Sequence, residues 1–290
     1  MKLALTFDDL PVWPMSWPPA GYSPEGIADA MIAALRKHDL EGVYCFSNSW
    51  ALDEVPELWI IFDRWVAAGH HVGNHTHAHQ ELQQVTVEAY CADIDLCAER
   101  LAKWIDRAPQ RLFRYTRTYW GEAEEKRAHV AAHLAAGGWG VADITSMLFE
   151  WEWNRAFKAI REDADVVAMT YLRETFLDFA AAQVRYDVEI LNRYAGREAV
   201  GILLLHNVAF LADVLSDLLA RLKSEGVEFV QLAEALADPV YAEVGSIVST
   251  QFLPYPHKML RHRSEKVAAI TPDRRALFNE IRKMAGDEAY

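Results

Sequence analysis

The chain has 290 residues, of which 52% are apolar, enough to bury a sizeable core, and α/β barrels of this length form a single domain. A formal net charge of -13 excludes a partner bound by counterion release, such as nucleic acid, which needs a basic surface. No apolar run reaches the roughly 18 to 20 residues that span a bilayer.

The first residues, Met1-Lys2-Leu3-Ala4-Leu5-Thr6, lack the charged region, apolar stretch and cleavage site of a signal peptide. As written, the chain therefore reads as cytoplasmic, although a secreted protein cut to its mature end reads the same way. Residues 2–7 form an apolar strand, and helical periodicity follows over residues 24–38. Strands at 42–46 and 71–73 flank a helix at 52–68. A helix at 88–104, a strand at 111–114, a helix at 123–136 and a strand at 139–142 continue the alternation. Residues 154–194 carry only helical pattern and read as a helical insertion of about 154–196 between the fifth and sixth strands. The Val, Ile and Leu run at 199–205 suits a strand buried on both faces, followed by a helix at 210–224 and a last strand at 227–231. This alternation predicts an α/β fold, a distorted barrel of about seven parallel strands spanning residues 1–241. Residues 242–290 read as a C-terminal extension packed on the barrel, irregular over 248–263 and with a short charged helix at 272–284. Cys45, Cys91 and Cys97 are an odd set at spacings that fit neither a zinc knuckle nor a disulfide framework, so they read as reduced, buried thiols.

Four constellations stand at strand ends, where barrel enzymes keep their chemistry. Asp8 and Asp9 close the first strand; adjacent carboxylates repel, and the strain is relieved if a cation binds one while the other stays free as a base. An Asp-Asp turn is equally read as a solvated loop or a helix cap. In Gly73-Asn74-His75-Thr76-His77-Ala78-His79, a spacing of four lets His75 and His79 share one face of a helical turn, with His77 pointing away. With one Asp they make a two-His, one-carboxylate set of the kind that activates water on a divalent metal; a surface His cluster is the plainer reading. Arg114, at the end of the fourth strand, can hold a catalytic carboxylate through a bidentate pair. His206 leaves the most hydrophobic strand, where an imidazole can pass a proton to a leaving group or simply bond to backbone.

Taken in order, Thr6-Phe7-Asp8-Asp9, His75-Thr76-x-x-His79, Arg114 and Leu203-Leu204-x-His206 resemble the motifs of the NodB-type polysaccharide deacetylases, a carbohydrate esterase family, over residues 2 to about 241. The resemblance implies a deacylase of N-acylated sugar, with Asp8 as base, Asp9, His75 and His79 as metal ligands and Thr76 packed beside them. It further implies His206 as proton donor, Leu204 lining the acyl pocket and Arg114 holding Asp8. Zinc suits two His and one Asp best, while cobalt, nickel, manganese or iron can take the same ligands. The chain also departs from the family pattern. Leu10 replaces a Gly, and Thr116 and Arg117 stand where a Pro and an aromatic are usual, so the backbone amide of Arg117 becomes the expected acyl-oxygen donor. Glu150 precedes Trp151 where an Asp is usual, and this carboxylate is expected to steady Arg114 from one methylene further out.

Trp151 can flank the acyl group, or both Trp151 and Trp153 can belong to the core. The loop at 12–19 carries Trp13, Trp17 and several Pro, and reads either as a sugar-stacking rim or as packing beneath the insertion. Two other functions fit the same residues. One is an amidase on a small non-sugar substrate, favoured by a mouth capped by the insertion. The other is a catalytically silent carbohydrate-binding homologue, favoured by the altered third and fourth motifs.

Overall fold

The computed structural model describes residues 1–14, 16–161, 166–243 and 247–286; Met15 of the aromatic loop and residues 162–165 of the insertion lie outside them. Its sheet has eight parallel strands: β1 (Lys2–Asp8), β2 (Tyr44–Ser47), β3 (His71–Asn74), β4 (Leu112–Phe113), β5 (Gly140–Val141), β6 (Ser146–Met147), β7 (Gly201–His206) and β8 (Glu228–Val230). Their order is β5-β4-β3-β2-β1-β7-β6, with β8 beside β1. One flank of β1 pairs with β7 along its length, and the other is shared between β8 at Lys2 to Ala4 and β2 at Thr6 to Asp8. No pairing joins β5 to β6 among the described residues, so the barrel is curled but incompletely closed.

β1 is buried from Leu3 onward and β7 throughout, as expected of strands covered on both faces. Helices α1 (Pro24–Lys37), α2 (Trp59–Ala67), α3 (Val87–Arg100) and α4 (Glu124–Ala136) cover the first half. Ser23 caps α1 by accepting the Gly26 amide, and Thr86 caps α3 by accepting that of Ala89. The helix expected at 52–68 is broken at Pro56, whose missing amide ends the first turn, so only its second half is a full helix.

The insertion consists of α5 (Glu150–Arg161) and α6 (Val166–Ala195) and lies between β6 and β7, one strand later than expected. The two-residue β6 is too short to leave a periodic signal. The insertion also begins earlier than residue 154, so Glu150 to Asn154 lie on its first helix. After β7 come α7 (Ala209–Ser224) and β8, and then the C-terminal segment. That segment is less irregular than expected. α8 (Tyr255–His262) occupies part of 248–263, because Pro254 and Pro256 sit at its start, where a missing N–H leaves no bond unmade. α9 (Arg275–Met284) packs on α5 and α6. The three cysteines are unpaired and buried, as expected.

β3 needs Gly73. A Cβ there would come within 2.6 Å of the Phe46 ring and 3.1 Å of the Leu112 carbonyl. The absent side chain lets Phe46 lie flat beneath the Arg114 guanidinium, 4.0 Å away, so a close strand approach supports the next layer of the site.

Candidate active site

All four constellations meet at the C-terminal ends of the strands. Asp8 stands opposite both Phe46 of β2 and His206 of β7, and Asn74 opposite Phe113 of β4, so one rim carries Asp8, Asp9, His75, Arg114 and His206. Backbone strain collects at the same rim. Of the eight described non-glycine residues with positive φ, six are Asp9, Thr76, His79, Arg117, Thr118 and Phe149. Such conformations persist only where surrounding bonds fix them, and they cluster at functional sites.

His75 and His79 do come together, with ring centroids 5.1 Å apart. They do not use a helical turn. Residues 75–80 form no helix, and left-handed Thr76 and His79 fold the loop back so that both imidazoles face Asp9. Two asparagines that carry no signal of their own in the sequence hold that loop. Asn48 Nδ2 donates to the carbonyls of His75 and Thr76 at 2.6 and 3.1 Å, and Asn74 Oδ1 accepts the Thr76 amide at 2.9 Å. Buried Asp93 adds a third tie by accepting the Ala78 amide. His77 points away, toward Ser49 and Asp53, as expected.

His75 Nδ1 lies 2.8 Å from the Arg114 carbonyl, which orients the ring so that Nε2 faces Asp8 and Asp9 at 3.5 and 3.9 Å. His79 Nε2 is 3.7 Å from Asp9 Oδ1. Ligand atoms of Asp9, His75 and His79 all lie within 4.8 Å of one another. Asp9 Oδ1, buried, accepts no hydrogen bond from the protein, a costly arrangement that a divalent cation would satisfy. The set fits such an ion, with one imidazole already oriented by its other nitrogen as metal ligands require.

Burial dominates the electrostatics. It pushes the Asp9 carboxyl up to about 8, helped by the neighbouring Asp8, and holds His75 down at about 3 and His79 well below the usual imidazole range. Metal-free Asp9 is thus largely protonated at neutral pH, while both imidazoles are neutral and ready to ligate. Uptake of a divalent ion at pH 7 is therefore expected to release close to one proton, with affinity rising up to about pH 8 and levelling above it. Zinc titration by calorimetry in buffers of different ionisation enthalpy measures that count. A count of zero would mean that Asp9 is already ionised or is not a ligand.

Arg114 is 1% exposed and gives Nη1 to Asp8 Oδ1 at 2.7 Å, as expected, but the pairing is not bidentate because its Nε is taken by the Ala142 carbonyl at 2.8 Å. Burial raises Asp8 against the pull of Arg114, which leaves a carboxylate more basic than a solvated one. Glu150 does not steady Arg114. It opens α5 next to the end of β7, and its Oε1 accepts both the His206 backbone amide at 2.7 Å and His206 Nδ1 at 2.6 Å. The position of α5 rules out the expected pairing with Arg114, because it sets the Glu150 carboxylate against the end of β7. Burial lowers the His206 pKa, but the Glu150 charge and hydrogen bond outweigh it and raise the imidazole to about 9. Its Nε2 then turns to the site, 4.0 Å from Asp9 Oδ2.

These groups floor a cavity of about 560 Å³. Its walls include Trp13, Trp151, Arg117 and Leu204, all singled out from the sequence, together with Ser16, Thr118, Glu152, Arg155 and Phe252, which were not. Trp151 stands edge-on to His206 at 5.2 Å and packs against Phe252 at 5.4 Å, whereas Trp153 is fully buried against Phe176 and Phe179. The two tryptophans therefore divide between cavity and core. The loop at 12–19 fits both of its readings, since Trp13 lines the cavity while Lys158 of α5 donates to Ser16 Oγ and the Trp17 carbonyl. Phe252 left no signal, coming from a segment without periodicity. Leu10, in place of the family's Gly, is fully buried in the core, and the left-handed backbone falls on Asp9 instead. Thr76 is buried beside the imidazoles.

The family model described as polysaccharide deacetylase matches residues 1–133. Among solved structures, the chitin deacetylase of the fungal pathogen Colletotrichum lindemuthianum is similar with a TM-score of 0.56 and 21% identity, covering 82% of this chain and 88% of that one. A carbohydrate esterase family 4 pseudoenzyme from Bacillus anthracis is similar at a TM-score of 0.51 and 14% identity, over 81% of this chain and 64% of that one. A mutant pseudoenzyme of the same family, with restored enzymatic activity, gives 0.52 and 15% over 81% and 66%. This chain thus spans slightly less than two thirds of those pseudoenzyme structures, and at these identities the likeness is one of fold. No curated protein sequence matches. No described helix is long and apolar enough to cross a membrane.

Proposed function

We propose, from the likeness of residues 1–133 to the polysaccharide deacetylase model and from the site described above, that the chain is a metal-dependent hydrolase removing acyl groups from the nitrogen of N-acylated sugars. The observation that carries this reading is the meeting of a candidate Asp-His-His ion site, an Arg-held carboxylate and a Glu-held imidazole on one cavity floor. A protein that only bound sugar would have no use for that combination.

In this reading Asp9, His75 and His79 hold the ion, with zinc the best match to two imidazoles and one carboxylate. A divalent ion held there would supply Lewis acidity toward the acyl carbonyl and the attacking water. Asp8, made more basic by burial and fixed by Arg114, takes the proton of the attacking water. His206, kept protonated by Glu150 at neutral pH, gives its proton to the departing nitrogen. One water thus becomes the hydroxyl of the released acid and the last hydrogen of the amine. The amide of Arg117 is the donor to the acyl oxygen, and Leu204 and Trp151 bound the acyl group. Trp13 offers an indole face to the sugar.

A feature of the cavity narrows the substrate. Trp151, Glu152 and Arg155 of the insertion and Phe252 of the C-terminal segment wall the space beside the metal ligands, which favours a short substrate, either one or two sugar units or a small amide, over a long polymer. Deacylation of acetylated glucosamine monomers, dimers and a long polymer by the zinc-loaded protein tests this. The short substrates are expected to be cleaved faster per acyl group; equal rates on the polymer would remove the size restriction.

A further inference from the structure

The turn at Arg117 and Thr118 is the most strained part of the cavity wall, two successive L-residues at φ of 48° and 55°. Left-handed backbone in non-glycine residues must be held from outside. The preceding residue is Thr116, whose φ is not locked as a proline's would be. Within the loop, the amides of Thr118 and Tyr119 donate to the carbonyls of Tyr115 and Thr116, both at 3.0 Å.

Side-chain ties reach the loop from elsewhere: Arg117 Nε to Glu81 at 2.7 Å, Thr116 Oγ1 to the Gln80 carbonyl and Trp120 Nε1 to Asp143 at 3.1 Å. The hydrogen bonds to Thr118 and to the Trp120 backbone from outside the loop, however, come from the C-terminal segment. Ser249 accepts the Trp120 amide at 2.8 Å and bridges Gly121, and the Leu253 carbonyl accepts Thr118 Oγ1 at 3.0 Å. From α8, Lys258 gives its ammonium group to the carbonyl of Thr118 and lies 4.3 Å from the centre of the Trp120 ring. Lys258 is 3% exposed, an expensive place for an ammonium group, and burial pulls its pKa down to about 7 despite the nearby Asp143. A second buried cation, Arg127, also lies 4.3 Å from the Trp120 ring, but no hydrogen bond joins it to the turn. The same strap brings Phe252 to the cavity.

We propose that the segment 249–258 is a clamp that sets the Arg117–Thr118 turn, and that Lys258 is the positioning residue through which it fixes the acyl-oxygen site. The acyl-oxygen part rests on the hydrolase reading above; the clamp does not. Lys258 acts on the substrate only through the backbone it holds, replacing by a tertiary contact the stiffness that a proline would give locally.

The test uses acetohydroxamate, a small acyl mimic that chelates metals, with the zinc-loaded protein, together with zinc affinity and amide deuterium exchange over 117–120. Losing a charge-assisted hydrogen bond is expected to weaken hydroxamate binding in Lys258→Met about tenfold and to speed exchange at the Thr118 and Tyr119 amides by a similar factor. Zinc affinity should stay within about twofold, because Lys258 touches none of the metal-site residues. Lys258→Gln, whose shorter amide stops short of the Thr118 carbonyl, should behave likewise and serves if the methionine variant does not fold. Lys258→Arg should recover most of both losses. Arg127→Met removes an equivalent buried charge without touching the turn, and should leave both readouts near wild type. Unchanged exchange and hydroxamate binding in Lys258→Met and Lys258→Gln would overturn the clamp, as would equal losses in Arg127→Met. If the wild type bound no zinc, the hydrolase reading would fail, and exchange alone would decide this proposal.

Discussion

Asp9→Ala and His79→Ala are each expected to reduce deacylation by at least about 10³-fold, roughly 4 kcal/mol of transition-state stabilisation. Zinc affinity should fall by more than the roughly 10- to 100-fold that loss of an outer partner costs a metal site. The stability of the metal-free protein separates this outcome from simple misfolding. Asp9 is buried beside Asp8, and its Oδ1 accepts no hydrogen bond from the protein, so the metal-free fold gains little from it. Asp9→Ala should therefore melt only a few degrees below the metal-free wild type, the small loss coming from alanine at the left-handed φ of 75°, although it also loses the stabilisation that zinc confers on the latter. A large drop in melting temperature with intact zinc binding would mean that Asp9 is a structural carboxylate.

His206→Ala is expected to slow the reaction by about 10²- to 10⁴-fold, the usual range for a positioned general acid, with zinc affinity nearly unchanged. Glu150→Gln makes the finer test. The His206 pKa is raised by the Glu150 carboxylate, so the neutral amide should let it fall. The acid form is then lost at lower pH, and the alkaline limb of the pH–rate profile should move down by about one unit or more. Because the amide oxygen in Glu150→Gln can still accept the imidazole N–H, orientation is largely preserved and the shift reports the charge. A profile that stays in place while the rate drops would assign Glu150 to packing alone.

The sequence was most legible where chemistry and chain order coincide. Asp8, Asp9, His75, His79, Arg114 and His206 each follow an apolar strand, and parallel strands must bring their C-terminal ends to one rim, so the convergence could be read before any contact was known. The local route was harder to read. The spacing of His75 and His79 suggests a helical turn, yet the loop reaches the same convergence through left-handed Thr76 and His79, conformations set by Asn48, Asn74 and Asp93 from neighbouring elements. The partner of Glu150 was misread for a related reason: which cation a carboxylate meets depends on where its helix enters the rim, and β6, which fixes that entry, is two residues long. Phe252 and Lys258 were invisible because the strap that carries them is held by tertiary bonds rather than by periodicity.

The measurement that tests the account most directly is deacylation of short N-acetylated glucosamine oligomers by chelator-stripped protein before and after zinc is returned. The expected result is no turnover when stripped and full recovery at about one equivalent of zinc, bound at the site of Asp9, His75 and His79. Turnover that survives removal of the metal, or zinc bound at one equivalent with no N-acyl substrate cleaved, would contradict it.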